Sequence, residues 1–240
     1  MNVFGIGLNK TGTISFHEAL VTLGFRSLHW GGAPVRAAIV RAMEDGRPML
    51  EYLPGYDAFS DITILTENFQ ILDRQYPRSK FVLTTRDLDT WLESRRHHVE
   101  KNVANKAEGL YDGLFLTVDY VGWRRLYTEH HARVYEHFAG RRDDLLVMNV
   151  IAGDGYDVLC PFLGRRPPDD AFPWRNPGVT RPSGQVLDRD TRRGTRVVVG
   201  QPPGSDGASP PAPPVCSERP LSDGTTQNFT CPDSMALMST

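Results

Sequence analysis

Lys10 sits between Gly7 and Gly12 and is followed by Thr11, Thr13 and Ser15, and this loop is the most chemically explicit feature of the 240-residue chain. The apolar run Val3-Phe4-Gly5-Ile6-Gly7-Leu8 enters it and an amphipathic, helix-forming stretch leaves it. Such a layout makes an anion site. Glycines let the backbone curl, the free amides at the start of the helix point at the anion, and the lysine adds a full charge. Two common nucleotide templates fail. The Walker A spacing needs Gly-Lys-Ser/Thr after four intervening residues, but Thr13 follows Gly12 and the lysine comes earlier. A dinucleotide fingerprint begun at Gly5 and Gly7 needs a third glycine where Lys10 stands.

The order that does fit is strand, Lys-Thr-Gly-Thr-x-Ser, helix. It resembles the 5′-phosphosulfate loop of sulfotransferases that use 3′-phosphoadenosine 5′-phosphosulfate (PAPS). A second stretch, Phe81-Val-Leu-Thr-Thr-Arg-Asp-Leu-Asp-Thr-Trp-Leu-Glu-Ser94, is similar to the family's second signature, a strand ending in arginine with a serine eight residues later. Segments Asp144 to Val150, Gly153 to Tyr156 and Cys160 to Gly164 resemble the late strand and helix that close the fold, so the resemblance covers roughly residues 2–176.

The resemblance implies a P-loop NTPase-like sulfotransferase fold, PAPS as cosubstrate and no metal. Lys10, Thr11, Gly12, Thr13, Ile14 and Ser15 would hold the 5′-phosphosulfate, and Arg86 and Ser94 the 3′-phosphate. Charge-assisted hydrogen bonds contribute about 1.5–3 kcal/mol each, so three or four match micromolar binding, about 8 kcal/mol. Family loops often carry a second threonine where this chain has Ile14, which keeps the amide and loses a hydroxyl. Ser15 and Phe16 stand where cytosolic members place a tryptophan against the adenine, which makes Phe16 a candidate for that contact. Many members close over the 3′-phosphate with a basic, Gly-containing segment after the last helix, for which Arg175 to Gly178 and Arg181 are the nearby candidates.

Sulfuryl transfer is expected to run in line and to depend on positioning and charge stabilisation, with Lys10 neutralising the charge that builds as the bond breaks. The acceptor, a small molecule with a hydroxyl or amine, must lose a proton to a base. His29 is the first choice and Asp61, in Phe59-Ser-Asp61, the partner or alternative. Plainer roles are open for each residue. Arg86 can pair with Asp87 or Asp89, His29 can be a packed histidine, and Asp61 can cap the next helix. His131 reads as core, and the histidine pairs lack HExxH or Cys/His metal spacing. Arg95 and Arg96 read as a solvated helix face. Two other functions are open: a noncatalytic nucleotide-binding or interaction protein that keeps the fold, and an ATP-dependent small-molecule kinase.

The elements that must position these residues alternate. Strands are expected at 2–8, 25–29, 57–61, 80–85 and 145–150. Helices are expected at 13–23, 33–44, 66–75, from 87 to about 103, at 118–138 and at 155–163. In the 118–138 helix Tyr120, Trp123, Tyr127, Val134 and Phe138 form a stripe. The pattern predicts an α/β fold: three layers, a mainly parallel central sheet covered on both faces, and ligands at the carboxyl ends of the strands, where Lys10, His29, Asp61 and Arg86 fall.

Composition divides the chain at residue 176. Ten of the 18 prolines follow it, whereas of 23 Phe, Trp and Tyr residues only Phe229 does. So few large apolar groups cannot offset an ordering cost of roughly 1–2 kcal/mol per residue, so 177–240 is expected to be a disordered tail after a 1–176 domain. Its one strand-like run is Arg196 to Gly200. A net charge of −2 without a basic block argues against nucleic acid or an anionic membrane as partner. The sequence has neither a long apolar run nor a signal-peptide layout, from which a cytoplasmic location is expected. Cys160, Cys216 and Cys231 form no evident disulfide framework. Oligomeric state is left open.

Overall fold

The computed structural model describes residues 1–175. The tail expected at 177–240, with its strand-like run, Cys216 and Cys231, lies outside the described residues. Five strands, β1 (Val3–Gly5), β2 (Ser27–His29), β3 (Ala58–Ser60), β4 (Lys80–Thr84) and β5 (Leu145–Met148), form one sheet in the order β2-β3-β1-β4-β5, with every pairing parallel. Seven helices connect and cover them: α1 (Thr13–Thr22), α2 (Gly32–Glu44), α3 (Thr63–Glu67), α4 (Phe69–Gln75), α5 (Leu88–Ala107), α6 (Tyr120–His137) and α7 (Tyr156–Leu163).

Strand periodicity sorts the core into two layers. Val3, Ala58 and Val82 face one way, against Phe16, Ala19 and Leu20 of α1 and Leu159 and Leu163 of α7. Phe4, Leu28, Phe59, Phe81 and Leu83 face the other way, against Val35 and Ile39 of α2, Phe69 and Leu72 of α4, and Val134 and Phe138 of α6. Both faces are buried, which is why the strands read as continuous apolar runs rather than as alternating ones. Register carries a row of aromatic rings across the sheet: Phe4 lies opposite both Phe59 and Phe81, at centroid separations of 5.6 and 5.3 Å. A third cluster, Leu8, Trp91, Leu92, Val99 and Trp123, packs α5 on α6 beside the opening loop.

The expected α/β fold with a mainly parallel sheet is therefore the observed one, with three differences in detail. The helix expected at 66–75 is two, α3 and α4, broken at Asn68, whose side chain donates to the Ile64 carbonyl (2.8 Å) and whose backbone leaves the helical region. Helix α5 continues to Ala107. In α6 the stripe holds from Trp123 onward, but Tyr120 is half-exposed and donates its hydroxyl to Glu93 (2.8 Å). His130 and His131 complete the buried face instead, and His131 is core as expected.

Chain direction across the sheet reverses between β1 and β4. From β1 the chain crosses to β2 and returns through β3, whereas after β4 it moves outward to β5. A parallel sheet opens a crevice at the carboxyl end of such a reversal, and the loops after β1 and β4 flank it. Among the described residues no helix is long and apolar enough to cross a membrane.

Candidate active site

Residues Ile6 to Gly12 run from β1 into α1 across the crevice. Gly7 is a glycine by necessity: a β-carbon there would lie 2.0 Å from Thr84 Oγ1 and 2.3 Å from the Thr84 carbonyl oxygen. Gly12 precedes α1 with φ 91°, and a β-carbon on it would meet Val150 at 2.9 Å. Having no side chain, Gly12 cannot cap the helix, so the first-turn amides of Thr13, Ile14 and Ser15 are left facing the loop.

Buried contacts fix the loop from beneath. The Thr11 hydroxyl donates to the Leu8 carbonyl (2.6 Å) and bonds Thr84 Oγ1 (2.7 Å), His130 Nε2 meets the Ile6 carbonyl (2.7 Å), and Trp91 Nε1 donates to the Asn9 carbonyl (2.8 Å). The Thr11 hydroxyl therefore belongs to the scaffold, and what Thr11 offers an anion is backbone. Thr84→Val, which removes one buried hydrogen bond, is expected to lower unfolding stability by about 0.5–1.5 kcal/mol, read as a shift of the urea midpoint at constant slope.

Around this loop the structure brings together Lys10, His29, Asp61 and Arg86 at the carboxyl edge of the sheet. Lys10 (φ 69°), in the loop after β1, and Trp30 (φ 59°) and Asp61 (φ 57°), directly after β2 and β3, all take left-handed backbone conformations. Each costs roughly 1–3 kcal/mol for a residue with a β-carbon and aims a side chain that an ordinary turn would not. Burial pushes Lys10 below the usual lysine value, Asp61 opposes this, and Lys101 and Arg95 add to it.

His29 pairs in register with Ser60, and its Nδ1 lies 3.0 Å from the Ser60 hydroxyl. Its Nε2 approaches Asp61 Oδ2 at 3.6 Å, too long for a hydrogen bond. His17, bonded through Nδ1 to Ser27 Oγ (2.8 Å), stacks on His29 with centroids 5.3 Å apart. Burial, with help from the His17 neighbour, brings His29 down to about 4. Burial takes Asp61 up to about 6 against the opposing pull of Lys10. Asp61 caps no helix: α3 starts from Ile62 without a side-chain cap.

Arg86 is 8% exposed and burial lowers its pKa, partly offset by Asp87. Its Nε donates to Thr90 Oγ1 (3.2 Å), and its carbonyl accepts from Tyr127 (2.6 Å). The carboxylates that offered a plainer role are engaged elsewhere. Asp87 caps α5 by accepting from the Thr90 amide (3.0 Å), and Asp89 pairs with Arg124 (3.0 Å). Among the described residues Arg86 has no salt-bridge partner, and Ser94, half-buried on α5, makes no side-chain hydrogen bond.

The chain matches the sulfotransferase domain family model over residues 2–117 and 107–180. It belongs to the sulfotransferase family. No curated protein matches it. Within this sulfotransferase domain, three local expectations change. Phe16 is fully buried against Ala19 and Leu20, so it cannot stack on an adenine. Arg175 gives its guanidinium to Glu18 (2.8 Å) and its amide to Ser15 Oγ (2.9 Å), which places it on α1. The remaining closing-segment candidates, residues 176–181, lie outside the described residues.

Arg95 is the third change. It is buried, with Nη1 on Asn9 Oδ1 (2.6 Å) and its guanidinium 4.7–4.9 Å from the ring centroids of Trp91, Phe115 and Trp123. Arg96 alone keeps the solvated face, paired with Glu93 and Glu100. Sequence reasoning also missed Ser60 and His17, which orient and stack on His29, and the Arg95, His98 and Lys101 row of α5. For that row the three-residue spacing after Ser94 was the available signal.

Proposed function

We propose that this sulfotransferase takes its sulfuryl group from PAPS and passes it to a hydroxyl or amine of a small acceptor, with Lys10 and the first turn of α1 on the 5′-phosphosulfate and Arg86 and Ser94 on the 3′-phosphate. The observation that carries this reading is Arg86: a buried guanidinium just past the end of β4 with no salt-bridge partner among the described residues. A buried cation that only a neighbouring charge offsets is costly, and a second phosphate would pair with it directly. The residues fit the cosubstrate in other respects too. Gly12 leaves the first turn of α1 without a side-chain cap, Ile14 contributes an amide, and Thr13 and Ser15 sit on the same turn.

In this reading the acceptor oxygen or nitrogen forms a bond to sulfur as the bond from sulfur to the bridging oxygen breaks. The electron pair of that bond leaves on 3′-phosphoadenosine 5′-phosphate (PAP), and Lys10 faces the charge that develops there. The acceptor proton goes to Asp61. Between the two candidate bases, Asp61 at about 6 is ionised at neutral pH yet retains affinity for a proton, whereas His29 at about 4 is a weak base. His29 then acts as a positioning residue, held by Ser60 and His17 with Nε2 toward the Asp61 carboxylate.

Calorimetry with PAP tests the cosubstrate assignment. Binding in the micromolar range is expected to weaken about 10- to 100-fold in Lys10→Ala and in Arg86→Ala, the loss of one charge-assisted contact each. Magnesium-dependent ATP binding in place of PAP binding would sink the proposal in favour of a kinase. Binding without transfer to any acceptor would favour a noncatalytic role.

A further inference from the structure

Helix α5 carries a second group of basic residues that the phosphates of the cosubstrate leave unused. Arg95 and His98 are neighbours at i,i+3, and Lys101 follows His98 at the same spacing on the exposed side. Ser94, one residue before Arg95, is assigned to the 3′-phosphate beside Arg86. At 1.5 Å per residue, Lys101 stands roughly 10 Å farther along the axis, away from Arg86. The row meets the opening loop at Arg95, whose Nη1 donates to Asn9 Oδ1 beside Lys10 (2.6 Å).

Arg95 is 8% exposed and has no carboxylate among its neighbours; Asn9 Oδ1 and three aromatic faces surround it, and its Nε is buried without a hydrogen-bond partner. His98 packs its ring on Phe115 (5.4 Å), and its Nδ1 is also buried without a partner. Lys101 is exposed at the end of the row. Burial, with Lys10, Arg95 and Lys101 close by, holds His98 down to about 4, and burial brings Arg95 to about 10. Lys10 thus has Arg95 and Lys101 as like-charged neighbours, with Asp61 opposing them. Positive charge gathers here beside two buried nitrogens, Arg95 Nε and His98 Nδ1, that have no hydrogen-bond partner. A ligand anion fills both needs at once.

We propose that the Arg95, His98 and Lys101 face of α5 is the acceptor subsite, and that it selects acceptors carrying an anionic group, such as a carboxylate, beside the hydroxyl or amine that receives sulfur. This rests on the reading of Lys10 as the sulfuryl contact and Asp61 as the base. The nucleophilic atom must sit between those two residues, and Arg95 is hydrogen-bonded to Asn9, the residue before Lys10, so the acceptor's remaining charge falls on α5.

The test uses the full chain saturated with PAP and three phenols of matched size: 3-(4-hydroxyphenyl)propionate, 4-propylphenol and tyramine. Calorimetry is expected to show the propionate binding at least about tenfold more tightly than tyramine, the effect of one charge-assisted contact, with propylphenol between them. Lys101→Glu is expected to abolish or invert that order in protein still saturated with PAP. In histidine-labelled protein the His98 resonance is expected to titrate at higher pH once the propionate is bound.

Equal binding of the three phenols, no binding of any, or an unchanged order in Lys101→Glu overturns the inference while leaving the cosubstrate reading intact. A carboxylate preference seen only without PAP overturns it too, because the cations then serve the cosubstrate. Failure of PAP itself to bind takes down both readings.

Discussion

Asp61→Asn is expected to lower kcat for sulfuryl transfer by about 10²- to 10⁴-fold, the range for loss of a positioned general base, while PAP affinity changes little. Asparagine matches aspartate in shape and keeps the left-handed backbone tolerable, so the loss reports proton acceptance rather than a rearranged loop. His29→Asn is expected to cost less, about tenfold, because it removes an orienting ring and leaves the carboxylate. The pH profile separates the two roles. If Asp61 is the base, kcat/KM rises with pH through about 6, the value at which burial places the carboxyl. That limb persists in His29→Asn and disappears in Asp61→Asn. A profile that keeps its limb in Asp61→Asn and loses it in His29→Asn would return the proton to His29.

Lys10 is the residue on which the fold and the proposed chemistry converge, and its place at the strand end was legible because the loop's order is local. Strand, lysine, glycine and helix are adjacent in sequence, and the glycine at position 7 is dictated by a single close approach to Thr84. The sheet was legible for a similar reason: strands buried on both faces read as short apolar runs between turn signals. Arg95 was not. Its spacing gives it the pattern of a surface helix residue, and the aromatic enclosure that buries it is assembled from Phe115 in the loop and Trp123 on α6, which only tertiary packing brings to α5. The pairing of His29 with Asp61 was half legible. His29 and Asp61 stand at adjacent strand ends, but their proton affinities depend on His17 from α1 and on how deeply each group is enclosed. Phe16 failed as an adenine contact for a comparable reason, since its place on the inner face of α1 depends on where the helix meets the sheet.

The same two shifts predict that single substitutions in the His29–Asp61 pair will expose opposite pH dependences of stability. Asp61 has a native value of about 6 against an ordinary 3.8, so between those values the native state holds more protons than the unfolded one. Its contribution is present at low pH and is lost as pH rises through about 6. His29 runs the other way. Its native value of about 4 lies below the ordinary 6.5, the native state holds fewer protons, and stability is gained as pH rises across that interval. Both side chains are mostly enclosed, 16% and 22% exposed, so each shift of a little over two units corresponds to about 3 kcal/mol. In the unmodified chain the two contributions nearly cancel between pH 4 and 7. Urea unfolding at a series of pH values should show Asp61→Asn gaining about 3 kcal/mol on the parent across that range and His29→Asn losing about as much, with the double variant following the parent. Differences that stay flat with pH would mean that the pair is solvated like surface groups, and the assignment of Asp61 as a base tuned by burial would fall with them. If the slopes appear, the enclosed carboxylate needed near neutral pH destabilises the fold, and a neutral histidine at the neighbouring strand end keeps that cost from varying with pH.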